Sequence, residues 1–343
     1  MPHELSIRED GTVEMMYVGE TPWTGLGTKL LTPATSKEAI EAAHLNWPII
    51  TNPVYRNVSV AQFEQIPNMN AIVRLDTQTV FQVASNKYTP LQNVDAFKFF
   101  DAVVGSGQAI YHTAGALFGG RRVWILAKLP GELRVTDNDI LEKYILLVNS
   151  HDGTHALTMK FTPIRVVCNN TLSVALHGNS QSFYARHTPS IINRVVEARE
   201  LLGLSEAYFE NFMLGANKLV EKEFTRQDMN KFVFDLFELD VSKTIDEQRK
   251  NKEYAAEKVL DLFSNGRGNN LDGVTNTAWA AWNSVAEYSD YFSPVGHSVK
   301  TGLLNTPEVA AKRLGSSWFG RGALLKQKSW DMLLNLDKFQ LVA

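Results

Sequence analysis

The sequence predicts an α+β protein, an antiparallel β-sheet packed with helices and followed by a mostly helical C-terminal part. Three observations carry this. Between Gly119 and Leu172 the segments GGRRVWILAKLPGELRV, KYILLVNSHDGTHALTMKF and TPIRVVCNNTL follow one another with turns between them. Within them apolar and polar residues alternate with the period of a strand. Beyond Gly203 that period changes from 2 to about 3.6, the repeat of a helix. The expected division is an α+β core over 1–203 and a helical region over 204–343.

The first fifty residues read as short elements, among them a helix from Lys37 to Ala43 that Thr35-Ser36 can cap and Trp47-Pro48 closes. Ala71 to Arg74 and Thr79 to Ala84 form a hairpin through Asp76-Thr77. Asn93 is placed to cap a helix whose apolar stripe is Ala96, Phe97, Phe100 and Val103, stopped by Gly105-Ser106-Gly107. In the sheet, Arg122, Trp124, Leu126 and Lys128 fall on one face of a strand, with Val123, Ile125, Ala127 and Leu129 on the other. Pro130-Gly131 is expected to turn the chain before a strand from Tyr144 to Val148. The Asp152-Gly153 turn then leads to a strand from His155 to Phe161. Such a meander can bury one face under helices and leave the other, with Arg122, Lys128, Lys160 and Arg165, as a solvated outer face or as a surface for a polyanion.

Ser190 to Leu202 reads as a helix ending at Gly203. Thr225-Arg226-Gln227-Asp228 has the spacing of a capping box and starts a helix to about Leu239. Asp246 to Phe263 is amphipathic and ends at Asn265-Gly266. Asn276 to Tyr288 stacks Trp279, Trp282 and Tyr288 on one side, a pattern of core packing. Thr306-Pro307 opens a short helix to Leu314, and Ala323 to Leu334 is the last helix.

Composition narrows the function classes. At 343 residues, with 44% hydrophobic and 21% charged, the chain has the length and balance for a folded core. No apolar run approaches the roughly 18 residues of a membrane span, and Met-Pro-His-Glu-Leu-Ser lacks the pattern of a signal peptide. The cytoplasm is therefore expected. A single cysteine, Cys168, rules out an intrachain disulfide and a cysteine-built zinc cage, and is read as a buried, inert thiol. The formal net charge of −3 hides an uneven distribution. Tyr111 to Glu200 holds ten Lys/Arg against seven Asp/Glu, Leu201 to Ser264 nine against thirteen, and Lys300 to Ser329 six against one. Two basic blocks around an acidic one suit phosphate-backbone contact or head-to-tail pairing of subunits.

Several motifs bear on chemistry. His151-Asp152-Gly153-Thr154-His155 brings two imidazoles and a carboxylate together, so a metal-dependent nuclease or hydrolase centred on His151, Asp152 and His155 is one expectation. Asp-Gly places them in a turn and not on a helix, which equally fits side chains of Asn149 and Asp152 fixing the backbone. Gly315-Ser316-Ser317-Trp318-Phe319-Gly320-Arg321-Gly322 has the glycines of a phosphate loop without its Lys and Ser/Thr. Backbone amides and Arg321 remain able to hold a nucleic-acid phosphate. Gln181 to Thr188 brings Phe183, Tyr184, Arg186 and His187 together, which fits either a strand end that packs Phe183 inward or the mixture of stacking and cationic groups that sequence-tolerant single-strand binders use.

Six ordered segments also resemble a known family. They are Pro22 to Gly27, Tyr88 to Asn93, Gly119 to Trp124, Asn149 to Gly153, Phe161 to Leu172 and Arg186-His187-Thr188. Together they are similar to the phage/plasmid-like proteins catalogued as domain of unknown function 932. One departure is Thr24, where that family commonly has His. The resemblance implies a phage or mobile-element gene, with DNA recombination or replication as its context. By architectural analogy it points to the single-strand annealing proteins, which assemble as rings or filaments and hold a DNA strand without ATP. The leading expectation is thus a homo-oligomeric, cofactor-free binder of single-stranded DNA that promotes annealing. Its contacts would be Arg121, Arg122, Lys128, Lys160, Arg165, Phe183, Tyr184, Arg186, His187 and Arg321. The alternatives are the metal-dependent enzyme and a protein that interacts with a host defence system.

Overall fold

A computed structural model describes residues 5–19, 26–104, 110–165, 170–171, 182–194, 197–198, 200, 205–239, 246–294 and 307–335. Its architecture is α+β, with a mixed sheet, a small antiparallel sheet and helices concentrated in the C-terminal half. The strands are β1 (Met15–Val18), β2 (Thr28–Leu30), β3 (Ile49–Ser59), β4 (Gln62–Arg74), β5 (Thr79–Ser85), β6 (Ile110–Leu117), β7 (Arg122–Thr136), β8 (Asp139–Ser150), β9 (Leu157–Arg165), β10 (Asn170–Thr171) and β11 (Ser182–Ala185). The large sheet has the order β10-β9-β8-β7-β6-β1-β2, and β11 also pairs with β9. A separate sheet is ordered β3-β4-β5. β1 and β2 run parallel. The helices are α1 (Ser36–Ala42), α2 (Asn93–Val104), α3 (Ser205–Glu221), α4 (Arg226–Phe237), α5 (Asp246–Asn265), α6 (Ala278–Glu287), α7 (Pro307–Phe319) and α8 (Arg321–Leu334).

The chain divides into two compact units. The first takes in 1–130, 144–161 and 180–205, and the second 131–143, 162–179 and 206–343. The boundary expected at 203/204 lies two residues from the division at Ser205. The second unit also claims the far end of the β7–β8 hairpin.

In the first unit, α2 packs its apolar stripe on the sheet. Phe97 and Phe100 lie 5.7 and 5.8 Å from Tyr111 of β6, and Phe99 stacks on Phe183 of β11 at 5.7 Å. Arg74, at the end of β4, is buried. It donates to Glu14 and, at 2.7 Å, to Asp76, and its guanidinium lies 4.2 Å over Trp47. Gly120 fits beside this pair because a Cβ there would fall 2.9 Å from Arg74 Nη1 and 3.0 Å from the Trp47 ring, at a φ of +94°.

The second unit is built around indoles. Trp282 of α6 lies 5.3 Å from Trp279 and 4.7 Å from Trp330 of α8, and Trp330 stacks on Phe212 of α3 at 5.2 Å. Val135 and Leu141 of the hairpin belong to the same cluster. Trp279 Nε1 donates to the buried Asp139 carboxylate at 2.7 Å, and Trp282 Nε1 to the Lys326 carbonyl at 3.1 Å. Both of these buried N–H groups thus have an acceptor, without which each would cost about 1–3 kcal/mol. Lys326 is fully buried with its Nζ 3.0 Å from Asp290 and 2.7 Å from Ser317 Oγ. Burial lowers its pKa while Asp290 opposes the shift.

Several sequence expectations change. β7 runs unbroken through Pro130-Gly131, with Gly131 taking a φ of +81°, and the chain reverses instead at Asp137-Asn138, residues suited to a turn. Ser190 to Leu202 is a 3₁₀ turn over Ile191–Arg194, with helical backbone at Glu197, Ala198 and Glu200 among the described residues. Asn93 is buried at the start of α2 and spends its side chain on Leu45 and His151, not on a cap. The glycine segment 315–322 is no loop. Helix α7 continues to Phe319, and a Cβ on Gly322 would fall 3.0 Å from Ser317 Cα, so the glycine permits close approach of backbone. Val103 as a side chain, 105–107, Thr24 and Cys168 lie outside the described residues.

Candidate nucleic-acid interface

The polyanion face expected on β7 is not an open plane. Trp124 and Leu126, which separate Arg122 from Lys128, are buried to 1% and 3% exposure. Trp124 lies over Gly115, where a Cβ would come within 2.3 Å of the ring, and its Nε1 donates to Thr113 at 3.2 Å. The arginines at the start of the strand serve the fold. Arg121 donates to the carbonyls of Phe81 and, at 3.2 Å, Val80. Arg122 donates to His155 Nδ1 at 2.9 Å and lies 5.2 Å over the Phe118 ring. Lys128 is half-buried opposite Ile110 of β6. The Arg165 side chain lies outside the described residues, and Arg321 is exposed as the first residue of α8 in the second unit.

What remains of the expected surface is the β9–β11 ladder. Its register pairs Ser182 with Lys160, Phe183 with Met159, Tyr184 with Thr158 and Ala185 with Leu157. Directly opposed residues share a face, so Ser182 and Tyr184 stand on the side of Lys160, while Phe183 and Ala185 go under with Met159 and Leu157. Tyr184 is accordingly 59% exposed and Phe183 buried. Arg186 follows, also exposed. Arg194, a residue the motif reading passed over, braces the ladder from outside its sequence. Its Nη1 donates to the Tyr184 carbonyl at 2.8 Å and its guanidinium lies 5.0 Å over Phe183. The basic side chain at the end of a short 3₁₀ turn gave no local signal of that role.

His187 is not part of the strip. It is buried, its Nε2 donates to Asn149 Oδ1 at 2.8 Å, and its ring stacks on Tyr88 at 5.2 Å. Burial lowers its pKa to about 4, so it is neutral at pH 7 and offers no charge to a phosphate. His151 repeats the arrangement. Its Nε2 faces Asn93 Oδ1 at 2.9 Å, and Phe81 stacks on the ring at 5.7 Å. Asn93 and Asn149 each donate their amide to a backbone carbonyl, of Leu45 and Leu91 respectively. Their oxygens must therefore accept, which fixes both imidazoles as Nε2–H tautomers. Burial, then the neighbouring His187, lowers the His151 pKa to about 3.

The histidine-aspartate turn is internally satisfied. Asp152 accepts from Ser150 Oγ at 2.6 Å, Thr154 Oγ1 at 2.6 Å and the Thr154 amide at 3.0 Å. Burial raises the Asp152 pKa, but these hydrogen bonds outweigh it and the net shift is downward. Burial and the Arg122 charge lower that of His155. Because Ser150 gives its proton to the carboxylate and His155 faces Arg122, the three do not form a nucleophile, base and orienter in series. Nor do His151, Asp152 and His155 converge. Among the described residues no group of three or more His, Cys, Asp or Glu side chains is placed to hold a metal ion.

A family model described as "Domain of unknown function (DUF932)" matches residues 80–314, more than half of the chain. Neither a curated protein nor a solved structure matches the sequence.

Proposed function

We propose that this chain, which belongs to the DUF932 family, is a mobile-element protein of the host cytoplasm that holds single-stranded DNA without ATP and promotes annealing as a homo-oligomer. The observation that supports this is the strip on β9 and β11. An exposed tyrosine ring at 184 shares its face with Lys160 and is followed by the exposed Arg186. A base has a ring to stack on there while cations track the backbone, and every base has a π-face, so the contact is sequence-tolerant. Phe183 packs beneath the strip, and the buried His187 follows it in the chain. Among the described residues no helix is long and apolar enough to cross a membrane.

The test is fluorescence anisotropy of a labelled single-stranded oligonucleotide at several salt concentrations, with a duplex control. Tyr184→Ala should weaken binding by about 1–3 kcal/mol. Lys160→Ala with Arg186→Ala should reduce the salt slope by about 0.7 for each phosphate no longer neutralised. A slope that stays the same in the double variant would overturn this placement, and the absence of binding by the wild type at low salt would overturn the function.

A further inference from the structure

Four dipeptides in the chain place glycine after an aspartyl or asparaginyl residue: Asp10-Gly11, Asp152-Gly153, Asn265-Gly266 and Asp272-Gly273. The pairing is chemically labile. Glycine has no side chain to shield its backbone nitrogen, which can attack the side-chain carbonyl carbon of the preceding residue and close a five-membered succinimide. In a flexible chain Asn-Gly reacts fastest, because at neutral pH a carboxylate is a poorer electrophile than an amide. Sequence alone therefore points to Asn265.

The structure reverses that order. Asn265 ends α5, where its Nδ2 donates to Asp261 at 2.8 Å and the buried Gly266 amide donates to the Leu262 carbonyl at 2.7 Å. At Asp10 the carboxylate accepts from the Thr12 amide at 2.9 Å, and the Gly11 amide donates to the Arg8 carbonyl at 2.9 Å. Asp152 is held by Ser150 and Thr154 through the three hydrogen bonds described above. Asp272-Gly273 has none of these restraints. Both residues are exposed, and among the described residues neither the carboxylate nor the Gly273 amide has a hydrogen-bond partner. They are the two central residues of a turn closed by the Val274 amide on the Leu271 carbonyl at 3.0 Å, with Gly273 at a φ of +74°. The peptide joining them can rotate while the closing bond stays, because glycine tolerates either sign of φ. That rotation carries the Gly273 nitrogen round to the Asp272 side chain.

We propose that Asp272 is a site of spontaneous isoaspartate formation in the folded protein. The Gly273 nitrogen bonds to Cγ of the protonated carboxyl group and gives up its proton, and one carboxyl oxygen leaves as water. A water molecule then opens the succinimide. Cleavage of the bond from nitrogen to Cγ restores aspartate, and cleavage of the bond from nitrogen to the main-chain carbonyl carbon leaves isoaspartate, with no net change of mass. The new linkage runs through Cβ and lengthens the main chain by one carbon. It falls immediately before Val274, buried in the indole cluster, and Thr277, whose hydroxyl caps α6. The proposal is independent of the DNA strip.

Ageing the full chain at mildly acidic pH, where some of the carboxyl groups are protonated, tests it. Electron-transfer fragmentation of the digest separates isoaspartyl from aspartyl peptides of equal mass. The peptide with Asp272 should accumulate at least tenfold more isoaspartate than those with Asp10, Asp152 or Asn265. In chain aged in urea the order should revert, with Asn265 leading. Asp272→Glu, which would have to close a six-membered ring, should remove the signal from the folded protein and leave the thermal melt unchanged. Isoaspartate that is led by Asn265 in the folded chain, or spread evenly over the four sites, overturns the proposal. So does an aged wild type no richer in isoaspartate than fresh protein, or a signal undiminished in the Asp272→Glu variant.

Discussion

Two asparagines decide the state of two histidines. Asn93 and Asn149 each anchor their amide nitrogen on a carbonyl, and so present an oxygen that only an N–H can satisfy. The result is a pair of neutral imidazoles with pKa values lowered to about 3 and about 4, against an ordinary value of 6.5. A histidine whose folded pKa is depressed binds a proton more readily once the chain unfolds. Its stabilising contribution is complete above about pH 6.5 and is lost as the pH falls toward the folded values. Urea midpoints should therefore hold steady above about pH 7 and decline between pH 6.5 and 4.5, by up to about 1.4 kcal/mol per pH unit for each histidine. His187→Gln, which keeps an N–H for Asn149, should flatten part of that decline. Identical midpoints at pH 7 and 4.5 would show that these rings are not held neutral. The sequence displayed His151 and His187 as candidates for chemistry because their types were visible. Their burial was not, since it follows from Trp47, Phe81 and Tyr88, far away in the chain.

At the scale of elements, what could be read from the sequence was what is local. Thr35 with Glu38, and Thr225 with Asp228, form reciprocal capping boxes at the starts of α1 and α4, where the spacing placed candidate caps. Thr225→Ala should cost about 1 kcal/mol, read as a shift in the urea midpoint. It should also speed exchange of the Asp228 amide, which now donates to the Thr225 hydroxyl. Unchanged exchange at that amide would mean the cap carries no weight. The hairpin of β4 and β5 was legible through its Asp-Thr turn. The β3–β4 arm was not, because its alternation has no buried side to mark it and prolines interrupt both strands. The strip on β9 and β11 was half legible. Segment 181–188 announced stacking and cationic groups, but only the register tells that Tyr184 faces solvent and Phe183 the core.

For the whole molecule, charge along the sequence proved a poor map of charge on the surface. The basic block from Lys300 to Ser329 holds Arg313, buried and donating to the Ser293 carbonyl; Lys326, buried beside Asp290; and Lys328, which meets Glu238 at 2.9 Å. Three of the six cations in what reads as an attractive stretch for phosphate are thus spent on contacts within the second unit. The α+β class survived because it depends on periodicity, a property of each segment taken alone. The indoles of the second unit have a consequence of another kind. Trp279, Trp282 and Trp330 lie close enough for their electronic transitions to mix, so the folded unit should carry an exciton couplet in circular dichroism. Trp330→Phe should diminish that couplet while the helical signal persists, and an undiminished couplet would assign it elsewhere. Trp47 and Trp124 belong to the first unit, so this optical signature reports on the second unit, and following it through a denaturant titration beside the total fluorescence would reveal whether the two units melt as one.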